Sequence, residues 1–152
     1  MGQLFSNVLQ KFSEIKAETS NPDILLFKTA ELLKSEIPHY DWVGFYLLDP
    51  QNDMLVLGPY VGAPTDHTRI PVGKGICGQV AASGQTMTIQ DVTQQDNYLA
   101  CSLDVQSEIV VPILKNGVFV AEIDIDSHAY APFTTEDEQL LEAIAEQLAE
   151  IF

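Results

Sequence analysis

The stretch that decides the fold runs from residue 107 to residue 127 and reads SEIVVPILKNGVFVAEIDIDS. Apolar residues alternate on both sides of Lys115–Gly117, a pattern typical of a β-hairpin. A two-residue Asn-Gly loop would place Ile109 opposite Asp124 and mix the two faces, whereas a three-residue loop pairs Ile109 with Ile123. We predict the three-residue loop, because it gives one wholly apolar face.

The other face of this hairpin is acidic. In the predicted register Glu108 lies opposite Asp124, with Glu122 and Asp126 on the same side. Facing carboxylates repel each other when both are charged. Either one of them keeps its proton near neutral pH, or a cation such as an ammonium group lies between them. A third interpretation is that water solvates this face, as it does most acids, and the pattern leaves all three open.

Composition limits the possible partners. The net charge of −15 argues against nucleic acids and anionic membranes, which need clustered basic residues. We find no secretory signal and no membrane span in the sequence. Cys77 and Cys101 are too far apart for a zinc-ligand pair, so we predict free thiols in a cytoplasmic protein and no metal site.

Periodicity and turn residues predict a single domain over residues 1–152, with N-terminal helices in 1–37 and a core sheet and C-terminal helix in 42–152. The stripe from Leu4 to Phe12 must pack on its own domain or on a second copy of the chain. The pattern also predicts strands at 42–48 and 54–58, loops at 58–64 and 69–75, a helix at 75–83 and a short strand at 86–89. A capping box at Thr135–Glu138 begins the last helix.

This order of elements predicts an α+β fold, in which helices cover an antiparallel sheet. Helices from both ends of the chain would pack on one face, and the segments between residues 58 and 103 could cover the other. A concave site between a sheet and such a cover commonly binds a small molecule.

Several segments, in the same order along the chain, resemble the free methionine-(R)-sulfoxide reductases, which are stand-alone GAF domains. They are Trp42–Tyr46, Leu57–Pro59, Arg69–Gly78, Leu99–Cys101, Ser107–Pro112 and Asp124–Ser127.

The resemblance implies a GAF-like α/β/α sandwich with a central antiparallel sheet of about six strands, and a homodimer. It implies reduction of free L-methionine (R)-sulfoxide, or of a similar amino acid, by thiol chemistry. The reductant would be an external thiol such as thioredoxin, with no bound cofactor.

By position, Cys101 would be the nucleophile that attacks the sulfoxide sulfur. Cys77 is a candidate second catalytic cysteine, with a buried cysteine that packs as a small apolar residue as the alternative. Trp42 would form the wall around the methyl end of the substrate. The residues that would bind the substrate and help to protonate its oxygen are Glu108, Asp124 and Asp126.

The chain departs from the family pattern at the usual upstream resolving cysteine, where it has His67. Tyr98 replaces a common histidine, and Ser102–Asp104 replaces Asp-Ala-Ala. A sulfenic acid on Cys101 would therefore need Cys77 or an outside thiol for its reduction. The alternative function is a non-catalytic GAF domain that binds a small molecule as a sensor.

Overall fold

A computed structural model describes residues 2–95 and 104–152 of the chain. Its main elements are α1 (Gln3–Glu18), α2 (Pro22–Glu36), β1 (Trp42–Asp49), β2 (Met54–Val61), β3 (Arg69–Pro71), α3 (Gly75–Ser83), β4 (Met87–Ile89), β5 (Ser107–Lys115), β6 (Val118–Ser127) and α4 (Thr135–Leu148). Short 3-10 turns follow at Val92–Gln94 and Ala149–Ile151.

The six strands form one antiparallel sheet in the order β3-β2-β1-β6-β5-β4. Helices α1, α2 and α4 cover one face, and α3 packs on the other. The predicted α+β sandwich is confirmed. No helix in the described ranges has both the length and the apolar character that crossing a membrane requires.

The larger core lies between the sheet and α1, α2 and α4. Phe12, Leu33 and Ile144 are fully buried there against the apolar face of β1, β5 and β6. The stripe on α1 contributes Phe5, which is also buried in this core. Its own chain therefore covers most of the stripe, whereas Leu4 stays 44% exposed, and the homodimer stays a prediction.

The predicted hairpin register is wrong by two residues. Asn116 and Gly117 both have positive φ, at 53° and 81°, and form a two-residue turn between Lys115 and Val118. A bulge at Val120 then adds one residue to β6. Because the bulge restores the parity that the turn alone would have broken, the apolar face survives. Ile109 thus pairs with Ile125, and Glu108 with Asp126 instead of Asp124.

The two predicted loops after residue 58 are partly strands. Strand β2 continues to Val61, because Gly58 and Pro59 together face Phe45 of β1 and form a bulge that accommodates the proline. Residues Arg69–Pro71 form β3, a short edge strand paired with the start of β2. This edge places the segment that follows it next to α3.

The capping box of the last helix starts one residue earlier than predicted. Thr134, not Thr135, is the N-cap, and Asp137 is the third helical residue, with 1% exposure. Its carboxylate accepts hydrogen bonds from the Thr134 backbone N–H at 2.8 Å and from the Tyr40 hydroxyl at 2.6 Å, and it contacts the His39 ring at 2.9 Å. Burial raises the pKa of Asp137, but these contacts outweigh burial and hold the pKa below its ordinary value.

We expect Asp137→Asn to lower the free energy of unfolding by roughly 1–3 kcal/mol at pH 7, because it weakens several hydrogen bonds to one buried carboxylate. The folded-state pKa is depressed, so this contribution is present above the unfolded-state pKa of about 3.9 and is lost as the pH falls through the folded value.

Urea unfolding at pH 7 and in a series down to acid pH measures this effect. The exposed Glu142→Gln in the same helix is the control and should change little. A deficit in Asp137→Asn that stays constant down to pH 3 would contradict the assignment.

Candidate functional site

Four acidic side chains lie on the sheet face that α3 covers: Glu108, Glu122, Asp124 and Asp126, here called the carboxylate face. Each is at most 3% exposed. Because their strands alternate, Ile123 and Ile125 point to the helical core while the acids point to the opposite face, and α3 buries the acids by covering that face. The interpretation that water solvates these acids is therefore wrong.

Cys77 covers part of the carboxylate face from α3. Its Sγ lies 3.4 Å from Oδ2 of Asp124, at hydrogen-bond distance for a thiol. Gly78 allows this close packing, because an added Cβ would lie 2.6 Å from the Pro71 carbonyl oxygen. The turn before α3 thus lies against the first turn of the helix and fixes the position of the thiol.

Burial shifts the protonation equilibria of this face. Burial raises the pKa of Glu122 well above its ordinary value, and the charge of Asp124 raises it further. Burial also raises the pKa of Asp124, although hydrogen bonds with Glu108 and Cys77 partly offset that effect. These directions favour bound protons wherever no cation neutralises the face.

Some buried oxygens of the carboxylate face lack partners. Within residues 2–95 and 104–152, no group meets hydrogen-bond geometry with either carboxylate oxygen of Glu122 or with Oδ1 of Asp124, although the Cys77 thiol is near enough to Glu122 to lower its pKa slightly against the effect of burial. No described Lys, Arg or His forms an ion pair with these two residues. Buried polar atoms are nearly always satisfied, so a proton, water or bound cation must fill this role.

The environment of Cys77 disfavours a thiolate. Burial raises the pKa of the Cys77 thiol well above its ordinary value, and the charges of Asp124, Glu122 and Glu108 raise it further. A thiol that keeps its proton is a poor nucleophile. The predicted redox role of Cys77 stays a prediction, and its surroundings oppose it.

Two cavities divide the predicted site residues. The smaller, of about 10 Å³, is lined by Tyr46, His67, Ile70, Ile76, Cys77, Glu108 and Asp124. The larger, of about 250 Å³, is lined by Lys34, Asp41, Trp42, Gly62, Ala63, Val105, Asp126 and His128. Because Glu108 pairs with Asp126 across β5 and β6, the two cavities lie next to each other.

Trp42 is fixed at the larger cavity by three contacts. Its indole N–H donates a hydrogen bond to the Ala63 carbonyl at 2.9 Å, and its ring stacks on Tyr60 with centroids 5.4 Å apart. The ring also lies over Gly44, which is paired with Asp124. A rigid aromatic wall therefore adjoins the carboxylate face.

The predicted nucleophile, Cys101, lies outside the described residues, as do Tyr98 and Ser102. Val105, four residues further along the chain, lines the larger cavity. The structure thus brings Trp42 and the acidic residues together without testing the role of the thiol.

The GAF domain family model matches residues 21–152. The free methionine-R-sulfoxide reductase of Escherichia coli K12 is 36% identical over 149 residues, which cover 98% of this chain and 88% of the relative. The chain belongs to the GAF domain family.

Two solved structures extend the similarity of this GAF domain. The free methionine-R-sulfoxide reductase from Neisseria meningitidis, solved in complex with its substrate, has a TM-score of 0.93 at 37% identity over 97% of this chain and 87% of that chain. A Staphylococcus aureus structure named fRMsr, also in complex with substrate, has a TM-score of 0.87 at 31% identity, covering 97% and 94% of the two chains.

Sequence reasoning left two residues out of the site of this GAF domain. Tyr46 lies on the same face as Gly44, and its hydroxyl donates a hydrogen bond to the His67 carbonyl at 2.8 Å. That contact helps to hold His67 beside Cys77 at the smaller cavity. Strand alternation could have identified Tyr46, whereas only the folded chain brings His67 there.

We expect Gly44→Ala to displace the Trp42 ring. The new Cβ would lie 2.4 Å from Cη2 of Trp42 and 2.8 Å from Cβ of Tyr60, closer than atoms can pack. Such overpacking typically costs roughly 1–3 kcal/mol of stability. Trp42 is the only tryptophan in the chain, so its fluorescence reports the displacement directly.

The control for this experiment is Gly2→Ala, whose Cβ would meet only the flexible end of Glu136. It should leave both the emission spectrum and the unfolding midpoint nearly unchanged. An unshifted spectrum in Gly44→Ala would show that the ring is not held against this glycine.

Proposed function

We propose that this GAF domain reduces free L-methionine (R)-sulfoxide to methionine, with Cys101 as the nucleophile and an external thiol as the reductant. The observation that carries the proposal is the buried carboxylate face beside a cavity bounded by Trp42. Relatives of the chain that are named free methionine-R-sulfoxide reductases support the same activity.

Charge and size support an amino acid as the ligand. An ammonium group would supply the positive charge that Glu122 and Asp124 lack among the described residues. The larger cavity, at about 250 Å³, is below the roughly 300–1,000 Å³ of pockets for drug-sized ligands, which suits a single small molecule. In this arrangement Trp42 would contact the apolar methyl end.

The proposed reaction transfers one oxygen atom. The Cys101 sulfur attacks the sulfoxide sulfur and forms a sulfur–sulfur bond. The oxygen then bonds to the Cys101 sulfur as its bond to the substrate sulfur breaks, and cleavage of the sulfur–sulfur bond releases methionine and leaves Cys101 as a sulfenic acid. The cysteine sulfur is oxidised by two electrons and the substrate sulfur is reduced by two. A carboxyl group that holds a proton, on Glu108 or Asp124, would donate it to the sulfoxide oxygen during this step.

Recycling needs two further thiols. One external thiol condenses with the sulfenic acid, releasing water and forming a mixed disulfide, and a second thiol frees Cys101. Internal resolution is unfavourable, because the pKa of Cys77 is raised and His67 stands in place of the family's usual cysteine. We therefore expect faster turnover with dithiothreitol than with thioredoxin.

His67 also favours the second candidate, a GAF domain that binds a small amino acid as a sensor without turnover. Both candidates require the carboxylate face to bind the ammonium group. Only the reductase requires Cys101 to change its oxidation state.

Single-turnover assays on separated epimers of free methionine sulfoxide test the reductase. Cys101→Ser should eliminate reduction of the R epimer, whereas Cys77→Ser should leave the first turnover intact. Intact mass measured after one equivalent of substrate should show a gain of one oxygen in the wild-type protein. Substrate consumption with an unmodified Cys101 would disprove the mechanism.

Ligand-induced thermal stabilisation separates the sensor from the reductase. Saturation at about 100 times the dissociation constant would stabilise the protein by roughly 2.7 kcal/mol. Asp124→Asn should abolish this stabilisation, and the exposed Glu14→Gln should preserve it. Stabilisation without reduction of either epimer would establish the sensor. If the protein shows neither stabilisation nor reduction, both candidates are rejected.

A further inference from the structure

Three buried side chains from three elements converge beside the smaller cavity. The Cys77 Sγ of α3, a Glu108 oxygen of β5 and an Asp124 oxygen of β6 all lie within 4.8 Å of one another. Thiolate and carboxylate groups are ligands of zinc-like ions. The convergence arises from the fold, because these residues are far apart in sequence.

Orphaned oxygens give a second and independent indication of a cation. Oδ1 of Asp124 has no hydrogen-bond partner among the described residues, although Asp124 is only 1% exposed. Both oxygens of the fully buried Glu122 likewise have no partner that meets hydrogen-bond geometry in the described ranges. Lone pairs enclosed in this way gain most from a positive charge beside them.

The size of the cavity restricts the occupant. At about 10 Å³ it has room for roughly one water-sized particle, which excludes an amino acid but fits a single ion. His67 also lines this cavity and could offer a ring nitrogen. The available ligand atoms are therefore one sulfur and two carboxylate oxygens, and the His67 nitrogen could be a fourth.

We propose that Cys77, Glu108 and Asp124 form a binding site for a divalent ion of the zinc class, with His67, which lines the same cavity, as a candidate fourth ligand. Zinc bonds of roughly 2.0–2.3 Å place neighbouring ligand atoms about 3.5 Å apart. Cys77 Sγ and Asp124 Oδ2 already lie 3.4 Å apart, so only the wider separations in the set, which are at most 4.8 Å, need to shorten on binding. A thiolate ligand favours zinc-like ions over magnesium and calcium. The dication would neutralise charge that burial otherwise makes costly.

The metal-site proposal does not depend on the proposed function, but metal binding would affect that function. The acids that would hold the ion, Glu108 and Asp124, are also acids that the proposed function assigns to the substrate. If the reductase proposal is correct, zinc and methionine sulfoxide should compete, and zinc should inhibit the enzyme.

Cobalt(II) is the probe for this site, since a cobalt–thiolate bond absorbs in the near ultraviolet. Chelator-treated full-length protein should bind one equivalent of Co²⁺ with this absorption, and Zn²⁺ but not Mg²⁺ should abolish it. Cys77→Ser should lose the band, and Asp124→Asn should weaken binding more than roughly 10-fold. Cys101→Ser should retain the band, and the exposed Glu14→Gln should bind as the wild type does.

A band that persists in Cys77→Ser but vanishes in Cys101→Ser would overturn the proposal, as would displacement of Co²⁺ by Mg²⁺. Cys77→Ala preserves the apolar packing of the helix and replaces Cys77→Ser if that variant does not fold. Circular dichroism of each variant identifies a folding defect. Reductase assays on the chelator-treated protein are independent of metal, so failure of the metal site and failure of the proposed function are distinguishable.

Discussion

The burial of four acidic side chains on one face of the sheet is the constraint on which the rest of the site depends. Removing a carboxylate from water costs several kcal/mol unless it is paired or protonated. Within the described residues, Glu122 and Asp124 have no cationic partner. The folded protein must therefore keep protons on this face or bind a positive charge there, and either outcome gives the face chemical reactivity.

The two faces of the sheet have separate roles. The face under α1, α2 and α4 is wholly apolar and supplies most of the buried hydrophobic area. The opposite face carries the acids and Trp42, and α3 covers it with Cys77. Stability from the first face can offset the cost of the second, which is a common relation between a scaffold and a strained site. Gly44 and Gly78 serve that site by allowing Trp42 and α3 to approach closely.

The sequence predicted those features that follow from local pattern. Alternation identified the apolar and acidic faces of the hairpin, and periodicity placed the N-terminal helices within residues 1–37, where α1 and α2 lie. The register could not be predicted, because the bulge at Val120 has no distinct signal in an alternating strand. The extension of β2 past Pro59 was missed for the same reason, because it also depends on a bulge.

Burial of the acids was also beyond local pattern, since alternation cannot say whether the acidic face is covered. The answer depends on α3, whose contacts with β5 and β6 are distant in sequence. His67 was noted as a departure from the family, but its position beside Cys77 required the folded chain. Asp137 lies within the predicted capping box, but its burial and its contacts with His39 and Tyr40 depend on residues about 100 positions away in the chain.

Infrared spectroscopy of the ligand-free, metal-free protein tests the central claim most directly, because a protonated carboxyl group has a carbonyl stretch that a carboxylate lacks. We predict that this band is present at pH 7, where ordinary acids are ionised, and that Glu122→Gln diminishes it while the exposed Glu14→Gln does not. Absence of a protonated carboxyl band at pH 7 would contradict the account, because the carboxylate face would then be fully charged without a bound cation.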